Sequence, residues 1–199
     1  MHEKVNLPDG DVLVHAGDIS GRGEYQHYRH LSLYMMRAAR ARGFKHIIVV
    51  PGNHDITFET EEENARDCFD DSIHVLINQE VVLEGVKFYG SPMTPRFFDW
   101  AFNVDRDKIH TYWDRIPNDT DVLITHGPPF NIRDRNSDNF ACGCKALGKR
   151  VAEVSPKVHI FGHIHEGYGT QIVGPTTFVN ASSCTGHYRP TNKAIVVDI

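Results

Sequence analysis

A chain of 199 residues is long enough for one domain of ordinary size. Charged residues make up 24% and apolar ones 40%, which excludes wholesale disorder, and no apolar run approaches the ~20 residues of a membrane helix. A net charge of −5 argues against a broad positive surface for duplex nucleic acid, and four cysteines are too few to read as a disulfide framework. Nor does the N-terminus develop the apolar stretch of a signal peptide, so a reducing cytoplasm is the expected compartment.

In chain order, apolar runs bounded by turn residues predict strands at Val12–His15, His46–Val50, His74–Ile77, Val81–Leu83 and Val86–Tyr89. Further strands are expected at Val122–Thr125, Val158–Phe161, Gln171–Val173, Thr176–Val179 and Ala194–Ile199. Glu84-Gly85 and Gly174-Pro175 each separate two such runs and read as tight hairpin turns. Helical spacing of Tyr25, Tyr28, Leu31, Tyr34, Met35 and Ala38 predicts a helix from Glu24 to Ala41. Weaker helical patterns cover Glu61–Phe69, Asp105–Ile116 and Lys145–Val154. Strand and helix alternate early, and hairpins become common later. That mixture predicts an α/β sandwich with mixed sheets, with residues 1–199 in a single domain.

Four of these strands share one pattern, a short apolar run that breaks into polar residues. The runs end at Asp18, at Asn53-His54-Asp55, at His126, and at His163 and His165. Ligands bind beyond the carboxyl ends of strands in α/β sheets, so these groups would meet in one patch if the strands are neighbours in a sheet. Gly17, Gly52, Gly127 and Gly162 sit beside the polar residues and allow sharp turns there. Imidazoles together with a carboxylate and an amide suit a divalent transition metal such as Mn, Fe, Co, Ni or Zn. One aspartate can bridge two ions about 3.5–4 Å apart, an arrangement that clamps a phosphoryl group.

At these residues the chain resembles the calcineurin-like metallophosphoesterase superfamily. Its ordered motifs stand here as His2 (in part), Gly17-Asp18, Gly52-Asn53-His54-Asp55, His126-Gly127 and Gly162-His163-Ile164-His165. Other stretches are similar to the metallophosphoesterase-domain-containing subgroup related to class III cyclic-nucleotide phosphodiesterases. They include Gly90–Asn103, Thr125–Pro129, His165–Gly169, Asn180–Cys184 and Pro190–Asn192. The resemblance implies a sandwich of two mixed β-sheets flanked by helices. It also implies hydrolysis of phosphodiesters such as cyclic nucleotides by a metal-bound hydroxide at a dinuclear site.

The resemblance further implies particular roles. Asp18 would bridge both ions, with Asn53, His126 and His163 completing one site and His2 and His165 serving the other. Manganese is the favoured ion among Mn, Fe, Zn, Co and Ni. His54 would assist the leaving oxygen as general acid or charge stabiliser, and Asp55 would orient its ring; Glu166 or a carbonyl would orient a ligand histidine. Asn53 and His54 would contact a small phosphorylated substrate, with a nucleotide as the expected kind. Apart from the resemblance, Arg133, a few residues after His126, reads either as a contact to a substrate phosphate or as a surface ion pair with Asp134 or Asp138. One departure matters, because the family's first motif is an aspartate two residues before the histidine matched by His2. That aspartate and its strand would lie before Met1, so the second ion is expected to bind weakly and the N-terminal strand to be missing. The rival reading is a catalytically weak module that binds metal or nucleotide. A nuclease is disfavoured by the acidic balance.

His15 and His159 lie inside apolar runs and read as core or supporting residues. Phe97, Phe98, Trp100 and Phe102 read as core or lid packing, with a platform for a planar leaving group as the functional alternative.

Overall fold

The computed structural model describes residues 2–199, the side chain of His2 excepted. After a short turn of 3-10 helix, the first unit is β1 (Val12–His15), α1 (Tyr25–Arg42) and β2 (His46–Val49). Two short helices follow, α2 (Thr57–Thr60) and α3 (Glu62–Arg66), and then β3 (Ile73–Val75). The chain continues through β4 (Gln79–Leu83), β5 (Val86–Ser91), β6 (Thr94–Pro95), β7 (Asn103–Val104) and α4 (His110–Trp113). It ends with β8 (Val122–Thr125), α5 (Lys145–Val154), β9 (Val158–Phe161), β10 (Gly169–Val173) and β11 (Thr176–Asn180).

The strands form a three-stranded sheet in the order β1-β2-β3 and a six-stranded sheet in the order β10-β11-β9-β8-β5-β4, with β6 and β7 paired separately. The smaller sheet is parallel throughout, whereas the larger is mixed, with parallel strands inside and an antiparallel hairpin at each end. Both hairpins turn where expected. Leu83 pairs with Val86 across Glu84-Gly85, where both residues have positive φ, and Val173 pairs with Thr176 across Gly174-Pro175.

Strand alternation divides the apolar residues between layers. Ile48 of β2 and Val50 just beyond it share a cluster with Phe88, Val122, Ile124, Val158 and Val179 of the larger sheet. That cluster is the filling between the two sheets. The alternate residues Ile47, Val49, Leu123 and Phe161 belong instead to the cluster that takes in Tyr28, Leu31 and Met35 of α1 and Leu147 and Val151 of α5. Helix α1 buries one stripe at the spacing its sequence predicts and stops at Gly43, whose φ of 78° lets its N–H cap the Ala39 carbonyl. No helix among the described residues is long and apolar enough to cross a membrane.

Three expected elements differ. The helix over Asp105–Ile116 shrinks to α4, and that over Glu61–Phe69 to α3, their remaining residues forming turns. Ala194–Ile199 forms no strand; Ile195 and Val197 pack on the inter-sheet cluster without a backbone ladder. Strand β1, although an apolar run, is only half-buried along its length. Among the described strands β1 pairs only with β2, and a cavity of about 570 Å³ lies between β1, Leu31, Val158, Val179 and Ile195.

Candidate metal centre

The four ligand-bearing strands do not share a sheet. β1 and β2 lie in the smaller sheet, β8 and β9 in the larger, and their carboxyl ends meet at one end of the sandwich. There Asp18, His126 and His163 bring one ligand atom each to within 4.8 Å of one another. Asn53 joins them, its Oδ1 lying 2.8 Å from His126 Nε2.

His126 shows why this is a cation site. Its Nδ1 lies 2.9 Å from the Ala16 carbonyl, which can only accept, so in the neutral ring that a metal requires the proton sits on Nδ1 and Nε2 carries a lone pair. That lone pair faces Asn53 Oδ1 at 2.8 Å, Asp18 Oδ1 at 3.3 Å and His163 Nδ1 at 3.2 Å. The amide and carboxylate oxygens have no proton to offer it. Electron pairs pointed at one another inside a buried pocket repel, and a divalent ion among them turns that repulsion into attraction. The residues therefore fit a metal, and their mixed nitrogen and oxygen donors match the borderline transition ions.

The backbone is bent to make this cluster. Asp18 and His163 hold left-handed φ values of 57° and 66°, costly for residues with a Cβ and tolerated where the surroundings enforce them. Gly17 and Gly52 leave no space for a side chain. A Cβ at Gly17 would stand 2.2 Å from His126 Nδ1, and one at Gly52 would stand 2.3 Å from the Asp18 amide nitrogen.

The electrostatics follow from burial and mutual fields. Burial alone would push the Asp18 carboxyl up, but His126, His54 and His163, with the His54 N–H, hold it below the usual carboxylate range. Burial, followed by the repulsion a protonated His126 would exert, drives His163 down to about 3, leaving a neutral ring with a lone pair for an ion.

His54 stands beside this group, its backbone N–H donating to Asp18 Oδ1 at 3.1 Å. Its Nδ1 donates to the Gly21 carbonyl at 2.8 Å, which leaves Nε2 as the ring nitrogen open to a substrate. The expected orienting role of Asp55 is corrected here. Its carboxylate is fully buried and accepts from the N–H groups of Ile19, Ser20 and Gly52 and from the Ser20 hydroxyl. It thus ties the loop after β1 to the loop after β2, and the Gly21 carbonyl orients His54 instead. Burial, then the nearby Asp18 charge, raises the Asp55 carboxyl to about 6 against the pull of those N–H groups.

Arg133 also departs from expectation. Its guanidinium donates to the carbonyls of Tyr168 and Thr170, so its donors pin the turn before β10 rather than wait for a phosphate. His165 lies on a 3-10 turn with its ring edge-on to Tyr188 at 5.4 Å, outside the 4.8 Å group. The expected ligand role of the His2 side chain falls outside the described residues. The carbonyls of Ala16 and Gly21 escaped the sequence reading, since any residue type supplies a carbonyl. Trp100 was legible only as part of an aromatic stretch, yet its ring stacks on His54 with centroids 4.2 Å apart.

Residues 1–167 match the family model described as calcineurin-like phosphoesterase. The chain belongs to that family. Metallophosphoesterase domain-containing protein 1 of Homo sapiens is 35% identical over 223 aligned residues, covering 99% of this chain and 67% of the relative. UPF0046 protein K07C11.7 of Caenorhabditis elegans is 37% identical over 206, covering 96% and 69%. The solved structure of TT1561 from Thermus thermophilus superposes with a TM-score of 0.58 over 86% of this chain and 76% of its own, at 12% identity. At that identity the likeness speaks for the fold alone. Membership in the calcineurin-like family supports a metal-dependent phosphoester hydrolase that uses divalent ions, and the buried cluster supplies residues able to hold one.

Proposed function

We propose that this metallophosphoesterase hydrolyses phosphodiesters, with small cyclic-nucleotide-like molecules as its substrates and manganese as its ion. The observation that carries the reading is the convergence of His126 Nε2 on Asn53 Oδ1, Asp18 Oδ1 and His163 Nδ1 within 3.3 Å. Asp18, Asn53, His126 and His163 would hold one ion, and Asp18 with His165 and His2 would serve a second. When bound, such ions neutralise charge on phosphoryl oxygens and make water acidic enough to become a nucleophile at neutral pH.

The chain's own residues do the rest. The Gly21 carbonyl holds the His54 Nδ1 proton, so Nε2 alone can exchange a proton with the substrate. With Nε2 protonated, His54 donates to the departing oxygen; the ring keeps its aim because Trp100 stacks on it. Asn53 and Asp18 are placed by loops that Asp55 ties together, so a productive geometry is held before substrate arrives.

The test is turnover of bis(para-nitrophenyl) phosphate and para-nitrophenyl phosphate by the purified chain, with Mn²⁺ titrated in and His54→Ala beside it. Metal-dependent diester cleavage that exceeds monoester cleavage and drops about 100-fold or more in the variant is expected. Monoester preference would overturn the diester assignment. Metal and nucleotide binding without turnover in any metal would replace the enzyme with a binding module.

A further inference from the structure

Asn180 lies in none of the ligand-bearing turns, yet three segments around the metal centre are bonded to its side chain. It ends β11, where it pairs with Phe161 at the end of β9, and it is fully buried. Its Nδ2 donates to the Ile164 carbonyl at 2.8 Å and to the Arg133 carbonyl at 3.2 Å. Its Oδ1 accepts from the Ser182 N–H at 3.1 Å. Those partners settle which way the amide points, since a carbonyl can only accept and an N–H can only donate. One side chain thus joins the loop after β8, the turn after β9 and the segment after β11.

The turn after β9 needs such a bond. The Ile164 N–H reaches back to the Gly162 carbonyl at 2.7 Å, closing a three-residue turn with His163 at its apex and a φ of 66° there. A three-residue turn with positive φ at its apex is rare and strained, and it persists only where neighbouring groups enforce it. Ile164 anchors the far side of that turn. Its N–H is spent on Gly162, and its carbonyl takes the Asn180 amide together with the Gly167 N–H at 3.1 Å. Gly167 lies against the same amide: a Cβ there would overlap the Arg133 carbonyl oxygen and stand 2.6 Å from Asn180 Nδ2. The Arg133 loop and the His165 turn therefore meet across Asn180 with no space for a methyl group.

We infer that Asn180 is a positioning residue for the metal centre, holding His163 in its strained turn so that the ring stays 3.2 Å from His126. Through that turn it sets the affinity for the ion, a role that rests on the reading of the cluster as a metal site. An amide is the side chain that fits. Aspartate has the same shape but turns an oxygen toward two carbonyls, and serine is too short to reach both.

The experiment compares wild type with Asn180→Asp, Asn180→Ser, Gly167→Ala and Thr176→Val. Thr176→Val is the control, because that buried hydroxyl donates to the Pro156 carbonyl at the other end of β11. Three quantities are measured: Co²⁺ affinity by competition with a chelator, the visible absorption bands of the Co²⁺ form, and the urea midpoint of the metal-free protein. Asn180→Asp should weaken Co²⁺ binding about 10- to 100-fold and shift the cobalt bands, with a smaller loss in Asn180→Ser. Gly167→Ala, which wedges the same two loops apart, should move both readings in the same direction. Thr176→Val should lower the urea midpoint and leave affinity and bands as in wild type.

Cobalt affinity and bands unmoved in the Asn180 and Gly167 variants would overturn this role and leave the metal centre standing. A loss of affinity in Thr176→Val as large as in Asn180→Asp would overturn it as well, since affinity would then follow stability alone. Should the Asn180 variants fail to fold, Gly167→Ala decides by the same two readings. A wild type that binds neither Co²⁺ nor Mn²⁺ would sink the metal reading of the cluster, and the role of Asn180 with it.

Discussion

The two halves of the metal centre come from strands of the same kind and are supported very differently. β8 is buried at every residue and β9 at three of four, because each lies between two strands of the larger sheet. β1 has the same apolar sequence character but is nowhere better than half-buried, with β2 as its one partner among the described strands. The ligands differ in parallel: the His126 side chain is 1% exposed and that of Asp18 is 25% exposed. An apolar run therefore allows a strand to be buried, while the number of neighbours decides whether it is. On the β1 side, where packing is thinner, the ligand is held by polar bonds instead, through the His54 N–H and the Asp55 clamp.

The sharpest way to break this comparison is Asp55→Asn. Each Asp55 oxygen accepts two donors, and an asparagine would turn an NH₂ group toward one of those pairs. The expected loss is about 3–5 kcal/mol of unfolding free energy, measured by urea denaturation, together with weaker metal retention. A loss under about 1 kcal/mol would show that the two loops hold together without the clamp.

Next in size is a matched pair in the strands themselves. Ile124→Ala in β8 removes a fully buried side chain and should cost about 2–4 kcal/mol. Val14→Ala in β1 should cost less than about 1.5 kcal/mol, because that side chain is half-buried beside the cavity. Equal costs in urea would mean that the β1 side is packed as tightly as the β8 side.

The smallest effect at neutral pH is expected from His159→Phe. His159 is fully buried between Phe161 and Phe178, and its one hydrogen bond among the described residues is to the Thr125 hydroxyl, whose own proton goes to the Gly127 carbonyl. Burial drives its pKa from 6.5 to about 3, so the unfolded chain takes up a proton in that interval and the folded one does not. Stability from this residue is therefore complete above pH 6.5 and declines as pH falls toward 3. The phenylalanine variant should stay within about 1 kcal/mol of wild type at pH 7.5 and show a flatter decline on acidification. Parallel pH profiles for the two proteins would show that another group controls acid unfolding.

Much of the centre was legible because it is written locally. Asp18, Asn53, His126 and His163 each follow a strand and sit beside a glycine, and the structure brings those four together. Asp55 and Arg133 misled for a shared reason: a carboxylate beside a histidine and an arginine downstream of one offer chemistry, but their partners lie far along the chain. Asp55 meets Ile19 and Ser20, more than thirty residues before it, and Arg133 meets Tyr168 and Thr170, a comparable distance after it. Ala194–Ile199 misled in the same way, since alternation and β-branched residues express a capacity for pairing that only a neighbouring edge can realise.

By itself the sequence determined the kinds of element, the two hairpin turns, the residues able to ligate a metal and the glycines that give them room. Those features depend on covalent chemistry, side-chain type and the period of a few neighbouring residues. Tertiary structure alone decided that the ligands come two from each sheet, that backbone carbonyls orient His126 and His54, and that Arg133 spends its donors on the carbonyls of Tyr168 and Thr170. Those outcomes depend on which distant groups fold against one another, because a hydrogen bond or a buried face is a property of two partners and the sequence displays them one at a time.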